Sequence, residues 1–356
     1  MGFSNFDSSS LSLPIFENDQ AWLGPEIANN TFWVHELTKS EKHELHAEII
    51  KADRSCKDVA QLVADDFNLP ELRVTLEYVR KTVLFGAGLF LIRGVPIEDY
   101  TIRQAAIAFW AIGVCLGDPV SQNAKGHLLG HVTNVGLKYE DPEVRGYQTS
   151  ARLPYHTDAS DIVGLLCVRS SKSGGLSSVV SSTSIWNELV RESPQRARVL
   201  LNDFHRTRWG EVAPGEKPYM SNPIYVPYGD RIFANYTRSA ITKAQQLAGI
   251  PLLTKDQIDA LDCLDALAAD PRFHLDMDFR PGDIQLLSNH HIFHSRTTYE
   301  DWPDIARRRH LLRLWLACDG GPAVPEVLLR RYGTTPKGRP NGICLPGVKQ
   351  IAPLSP

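Results

Sequence analysis

The stretch RLPYHTDASD places an imidazole and a carboxylate two positions apart, at His156 and Asp158. On an extended segment, positions i and i+2 point to the same side. Such a pair can therefore offer two ligands to one metal ion. The pattern occurs twice more, at His46/Glu48 and His274/Asp276, so context has to separate the three. His46 and Glu48 fall in TKSEKHELHAEIIKA, which has helical spacing, and i and i+2 diverge on a helix. In FHLDMDFR, the apolar Phe273, Leu275, Met277 and Phe279 alternate with His274, Asp276, Asp278 and Arg280. That alternation predicts a half-buried strand with the histidine and aspartates on its wet face. His156 and Asp158 differ, because a proline-stiffened segment leads through them into the apolar run DIVGLLCV.

A metal needs a third ligand. The candidates lie in PGDIQLLSNHHIFHSRTTYE, where a turn and a strand are followed by His290, His291 and His294. Two histidines and one carboxylate leave coordination positions open, which suits non-haem Fe(II) that must also bind a co-substrate and O2. Spacing does not choose among the three histidines, and zinc or a structural metal meets the same ligand set. Downstream, Arg313 sits inside the apolar strand LLRLWL. A guanidinium there needs an anion, and a carboxylate matches its fork. That carboxylate is either internal or a ligand's. Arg307, Arg308 and Arg309 by themselves read as a solvated charge run.

The elements that must position these residues follow from patterning. The 356-residue chain is 43% hydrophobic and 22% charged, with net charge −3. It is ordinary for a globular protein and offers no global pull toward nucleic acid or anionic membrane. No apolar stretch reaches the length of a membrane span. Six scattered cysteines without a C-x-x-C pair read as reduced thiols. The N-terminus lacks the basic and apolar regions of a secretory signal, so the expected location is cytoplasmic. Residues 1–30 are expected to form a polar extended arm. Thr38 with Glu41, and Thr254 with Gln257, are capping boxes that open helices. In the second helix Ile258, Leu261, Leu264 and Leu267 form an apolar stripe. Further helices are expected in LPELRVTLEYVRKTVL and IRQAAIAFWAIGVCLG. Strands are expected in GLFLIRGVP, GLLCVRS, LSSVVSS, PIYVPYG, RIFANY, FHLDMDFR, DIQLLSN and HLLRLWLAC. The pattern predicts one α+β domain over 1–356, a β-sandwich or jelly roll carrying helices.

YHTD, SGGLSS, PGDIQLLSNHHIFHSRT and RRRHLLRLWL, in that order between about residues 80 and 320, resemble the taurine dioxygenase/TfdA-like family of Fe(II)- and 2-oxoglutarate-dependent oxygenases. The resemblance implies a double-stranded β-helix (jelly-roll) core with flanking helices. It implies His156, Asp158 and His294 as iron ligands, with 2-oxoglutarate and O2 as co-substrates. It also implies that Arg313 and Ser177 hold the distal carboxylate of 2-oxoglutarate, with Arg309 a second arginine nearby. The His294–Arg313 spacing is longer than the family's commonest, and Arg309 and Arg313 share one side of a strand, so their roles are exchangeable. Serine replaces the usual threonine at 177. Asp158 supplies the carboxylate that halogenating relatives lack, which favours hydroxylation, desaturation or oxidative ring closure.

The substrate is expected to be a small molecule. Candidate contacts are Asn134, Gln148, Ile343 and Leu345, the last two in a C-terminal segment (321–356) expected to close the site. Family relatives that act on free amino acids or secondary-metabolite intermediates make an aliphatic amino acid such as valine one candidate. The sequence is compatible with a homo-oligomer. The competing readings are a jelly-roll binding protein without turnover and a zinc hydrolase using the same ligands.

Overall fold

The N-terminal half is dominated by three helices whose starts are written in the sequence. Thr38 and Glu41 cap α2 (Lys39–Arg54) reciprocally, Pro70 opens α3 (Pro70–Phe85), and Thr101 with Gln104 caps α4 (Ile102–Leu116). The computed structural model describes residues 12–137, 145–330 and 333–356. Within them a short helix α1 (Gly24–Ala28) precedes these three. Helices α5 (Ser182–Glu192), α6 (Pro194–Val199), α7 (Arg238–Ala244) and α8 (Lys255–Ala268) follow. None of the described helices is long and apolar enough to cross a membrane.

Two larger sheets position the site, and three two-stranded ribbons, pairing residues 204–207 with 219–222, 225–228 with 231–234, and 173–174 with 299–300, lie outside them. The strands of the two larger sheets, in chain order, are β1 (Val34–Glu36), β2 (Leu89–Arg93), β3 (Asp118–Pro119), β4 (Leu129–Val132), β5 (Leu153–His156) and β6 (Ile162–Arg169). β7 (Ser177–Ser181), β8 (His274–Met277), β9 (Ile284–Ser288), β10 (Ile292–Arg296) and β11 (His310–Ala317) complete the set. The larger sheet runs β1-β2-β9-β6-β11-β3, with β4 also on β11, and the smaller runs β8-β7-β10-β5. The β1–β2 pair is parallel; the other pairs in both sheets are antiparallel.

Strand alternation sorts the side chains into layers. Leu312, Leu314 and Leu316 of β11 join Leu286 of β9 and helices α2–α4 in one apolar cluster. Their neighbours Leu311, Trp315 and Ala317 turn the other way, into a cluster shared with Val179, Leu275, Met277 and Ile292 of the smaller sheet. That second cluster is the interior between the sheets. Val180 and Phe293, on the far face of the smaller sheet, pack with α5, α6 and α8. The layers are close-packed: a Cβ on Gly164 would come within 3.2 Å of the Phe109 ring of α4.

The expected strands are all present, and Thr254–Gln257 caps α8. Two details differ. In α8 Leu261 and Leu264 are fully buried, but Ile258 is exposed, because Ala260 and Ala268 complete the inward face instead. Residues 12–30, within the expected polar arm, are packed down by Phe16, Trp22 and Ile27. The Phe16 backbone is held by Asn187, and the Trp22 indole donates to the Ala87 carbonyl. The first eleven residues lie outside the described ones.

Candidate metal centre and its pockets

β10 and β5 are antiparallel neighbours, and their register sets His294 opposite His156. The ring centroids are 4.1 Å apart. Asp158 follows two residues after β5, in a loop fixed from the β9–β10 turn. The Asp158 N–H donates to Asn289 Oδ1 at 2.9 Å, and Asn289 Nδ2 donates to Ser160 Oγ at 3.0 Å. One ligand atom from each of His156, Asp158 and His294 lies within 4.8 Å of the others, the one such cluster among the described residues.

The protonation states suit a cation. His156 Nδ1 donates to the Pro154 carbonyl at 2.8 Å, which leaves its Nε2 lone pair free. Burial lowers the His156 pKa. Burial, then the neighbouring His156, pushes His294 down to about 3. Burial works against charge on Asp158, but Arg313 and the two imidazoles outweigh it and hold the carboxyl at about 2. At neutral pH the set is two neutral imidazoles and one carboxylate. His294 Nδ1 is buried without a hydrogen-bond partner, and Nε2 stands 3.8 Å from Asp158 Oδ2. That is too long for a hydrogen bond, but two ligands about 2.1 Å from one ion are spaced by about 3–4 Å. The residues fit a divalent iron.

The other two histidines of HHIFH are otherwise engaged. His290 Nε2 donates to the fully buried Asp161 at 2.7 Å. His291 is packed against Gly88, whose positive φ and missing Cβ admit the ring.

The interior has two polar ends. At the metal end, the Arg313 Nε donates to Gln122 Oε1 at 2.6 Å, and its Nη1 is 3.8 Å from Asp158 Oδ2. Its guanidinium lies over the rings of Tyr147 and Trp315. Trp315 Nε1 donates to Asp158 at 2.9 Å. At the deep end are Arg309, Arg296 and Ser177. Ser177 stands opposite Arg296 in register and donates to Gln285 at 3.0 Å. Arg309 lies beside Gly175, two residues from Ser177. Burial lowers the pKa of both arginines, that of Arg296 to about 10 with Arg309 contributing.

A cavity beside the triad is lined by Tyr147, Trp209, Arg313, Trp315 and Ile343, among others. Ile343 is held on this cavity by its backbone N–H, which donates to the Ser121 carbonyl. Asn134, Gln148 and Leu345 are not among the residues lining this cavity. The Asn134 and Gln148 side chains turn back to accept from the backbone N–H groups of Gly136 and Arg145. Sequence reasoning missed Gln122, Asn289, Trp315 and Arg296. Only Arg296 left a readable signal: it is two residues from His294 on a strand, hence on the same face.

Residues 55–315 match the model of the family "Taurine catabolism dioxygenase TauD, TfdA family". The chain belongs to this family. It is a 2-oxoglutarate-dependent non-haem iron dioxygenase, with Fe(II) as cofactor and 2-oxoglutarate and O2 as co-substrates. Membership sets aside the binding-protein and zinc-hydrolase readings. Among curated relatives, FR-33289 synthase of Streptomyces rubellomurinus is 30% identical over 90% of this chain and 95% of its own. The taurine hydroxylase-like protein SAT17 of Stachybotrys chartarum is 26% identical over 83% of this chain and 78% of its own. The structure of an asparagine oxygenase with Fe(II), 3-hydroxyasparagine and succinate shares the dioxygenase's mixed helix-and-sheet fold. It has TM-score 0.63 and 18% identity, covering 80% of this chain and 93% of that one.

Proposed function

We propose that this dioxygenase oxidises an unactivated C–H bond of a small organic anion, by hydroxylation, desaturation or ring closure, on a jelly-roll core. His156, Asp158 and His294 would hold the iron. When bound, it supplies the oxidative chemistry that couples O2 and 2-oxoglutarate to C–H cleavage. The observation that carries the reading is the division of labour between two arginines four residues apart on one strand. Arg309 shares the deep end with Ser177, so the pair is assigned the distal carboxylate of 2-oxoglutarate. Arg313 faces the cavity at the metal end, so it is assigned an anionic group of the substrate. This exchanges the roles first expected for the two arginines.

The remaining parts act by positioning and exclusion. Gln122 fixes the Arg313 guanidinium in plane, and Tyr147 and Trp315 cover its faces. Trp315 and Asn289 orient Asp158 through its carboxylate and its backbone. Ile343 brings the C-terminal segment to the cavity wall and keeps water from it. An aliphatic amino acid, bound through its carboxylate, and a secondary-metabolite intermediate both belong to the proposed class.

The test is substrate-dependent succinate release across a panel of small carboxylates, phosphonates and amino acids, with product mass recorded. Arg309→Ala should raise the KM for 2-oxoglutarate roughly 10–100-fold, the scale of a charged hydrogen bond, and leave the substrate KM near wild type. Arg313→Ala should do the reverse. Both variants moving the same KM would sink the assignment.

A further inference from the structure

Arg296 and Arg309 are each 4% exposed. Among the described residues, neither guanidinium has a carboxylate within 4.0 Å. Asp301 spends Oδ1 on the backbone N–H of Arg309. The two guanidinium carbons sit over the same Tyr299 ring, at 4.7 and 5.2 Å from its centroid. Arg296 Nε and Nη1 and Arg309 Nη1 are buried with no hydrogen-bond partner. Asp301 Oδ2 is also buried and unpartnered, and its charge favours both guanidiniums without pairing with either; two buried cations so weakly compensated are a costly arrangement unless a further anion completes it. Arg296 also lies two residues, about 7 Å by strand rise, from His294, a span within reach of a five-carbon diacid chelated at the metal.

The rest of the Arg296 side chain is not idle. Nη2 donates to the carbonyls of Thr149, at 2.9 Å, and Ala151. Those residues connect Gly146–Tyr147 to Leu153–Pro154, and both of these stretches line the substrate cavity.

We propose that Arg296 is a second anchor for the distal carboxylate of 2-oxoglutarate, shared with Arg309 beside the Tyr299 ring, and that it ties occupancy of that site to the segment 149–151 bordering the substrate cavity. The proposal rests on the assignment of Arg309 and Ser177 to that carboxylate. A bound carboxylate takes one of the unpartnered donors, Nε–H or Nη1–H, while Nη2 holds the two carbonyls. Co-substrate binding thereby firms one wall of the cavity before substrate arrives.

The experiment pairs two ligands. Anaerobic Fe(II) enzyme is titrated with 2-oxoglutarate and with 2-oxopentanoate, which has the same five carbons but no distal carboxylate. Binding is read from the visible charge-transfer band. Arg296→Gln should weaken 2-oxoglutarate about tenfold or more and 2-oxopentanoate less than about twofold, with Arg296→Lys in between. Equal weakening of both ligands would mean that Arg296 is only a backbone tether, and no weakening would mean no contact; either overturns the proposal. Arg309→Gln, run beside them, tests the underlying assignment separately: unchanged 2-oxoglutarate affinity there would sink that reading. The wild-type enzyme supplies a readout that needs no variant. Amide exchange at Ser150 and Ala151 should slow with 2-oxoglutarate and not with 2-oxopentanoate. The same exchange with both ligands would overturn the coupling.

Discussion

The two outer strands of the smaller sheet carry the same local pattern in opposite phase. On β5 the histidine of His156-x-Asp158 faces the interior, and Tyr155 faces the outer apolar cluster. On β8 it is Leu275 and Met277 that face the interior, and His274 and Asp276 point to the other, partly solvated side. A one-residue shift of phase is enough to exchange the faces of a strand. The neighbouring strand then completes or withholds the site. β10 offers His294 opposite His156, whereas β7 offers Val180 and Ser178 opposite His274 and Asp276. The histidine–carboxylate pair proposed as a metal site thus differs from the surface pair in its phase and in what the adjacent strand sets beside it.

The largest effect should come from the interior pair. His156→Ala or His294→Ala removes one of the three proposed ligands, and losing even an outer partner of a metal ligand costs about 10–100-fold. We expect more than about 100-fold loss of Fe(II) affinity and no charge-transfer band with 2-oxoglutarate. A folded His294→Ala protein that still forms the band would show that the register pairing is not the metal site.

The loop between β5 and β6 is held from a distant part of the chain. Arg339, in the C-terminal segment, donates through Nε and Nη2 to Asp161, and the Cys318 N–H adds a third donor at 2.7 Å. Removing one partner of a buried ion pair typically costs about 3–5 kcal/mol. Arg339→Gln should lower unfolding free energy by that order, while Arg330→Gln, which breaks an exposed ion pair with Glu326, should cost under about 1 kcal/mol. Equal denaturation midpoints for the two variants would mean that the C-terminal segment does not brace the ligand loop.

Burial also sorts the histidines by their response to acid. Burial, then His290, pushes His291 down to about 3; burial, then His131, does the same to His310. Their folded pKa values lie below the unfolded value near 6.5. The stability they contribute is therefore full above pH 6.5 and falls as the unfolded chain takes up protons the folded state refuses. At pH 5 the loss is about 2 kcal/mol per histidine. Denaturant unfolding of metal-free protein at pH 7 and pH 5 measures it. His310→Gln should recover one histidine's share of the difference, and an unchanged difference would remove His310 from the account.

The sequence showed what is local. Capping boxes at Thr38 and Thr254 opened helices where expected, and two-residue alternation placed His274 and Asp276 on the outer face. The distal ligand was different in kind. His290, His291 and His294 have equal chemistry, and their distance in the fold from His156 depends on which strands pair, 138 residues apart in sequence for His294. Only the family resemblance pointed to His294. Arg313 was noticed because charge inside an apolar strand is conspicuous. Arg296 was not, because Ser295 and Thr297 give it polar neighbours. Asn134 and Gln148 were legible only as polar loop residues, and such residues satisfy their own turns as readily as a ligand.

The smallest effect is the one that tests the comparison most directly. His274 Nδ1 and Asp276 Oδ1 are 3.3 Å apart, with the Asp276 side chain 41% exposed. A part-exposed ion pair of this kind contributes about 0–1 kcal/mol. The double variant His274→Gln/Asp276→Asn should therefore shift unfolding free energy by less than about 1 kcal/mol. Iron content, the charge-transfer band and 2-oxoglutarate affinity should all be unchanged. The variant keeps Leu275 and Met277 in the interior, so it alters only the outward phase of β8. If iron or co-substrate binding weakened, the outer face of the smaller sheet would have to communicate with the triad through β7 and β10. Phase alone would then no longer explain why one histidine–carboxylate pair is a metal site and the other an ordinary surface pair.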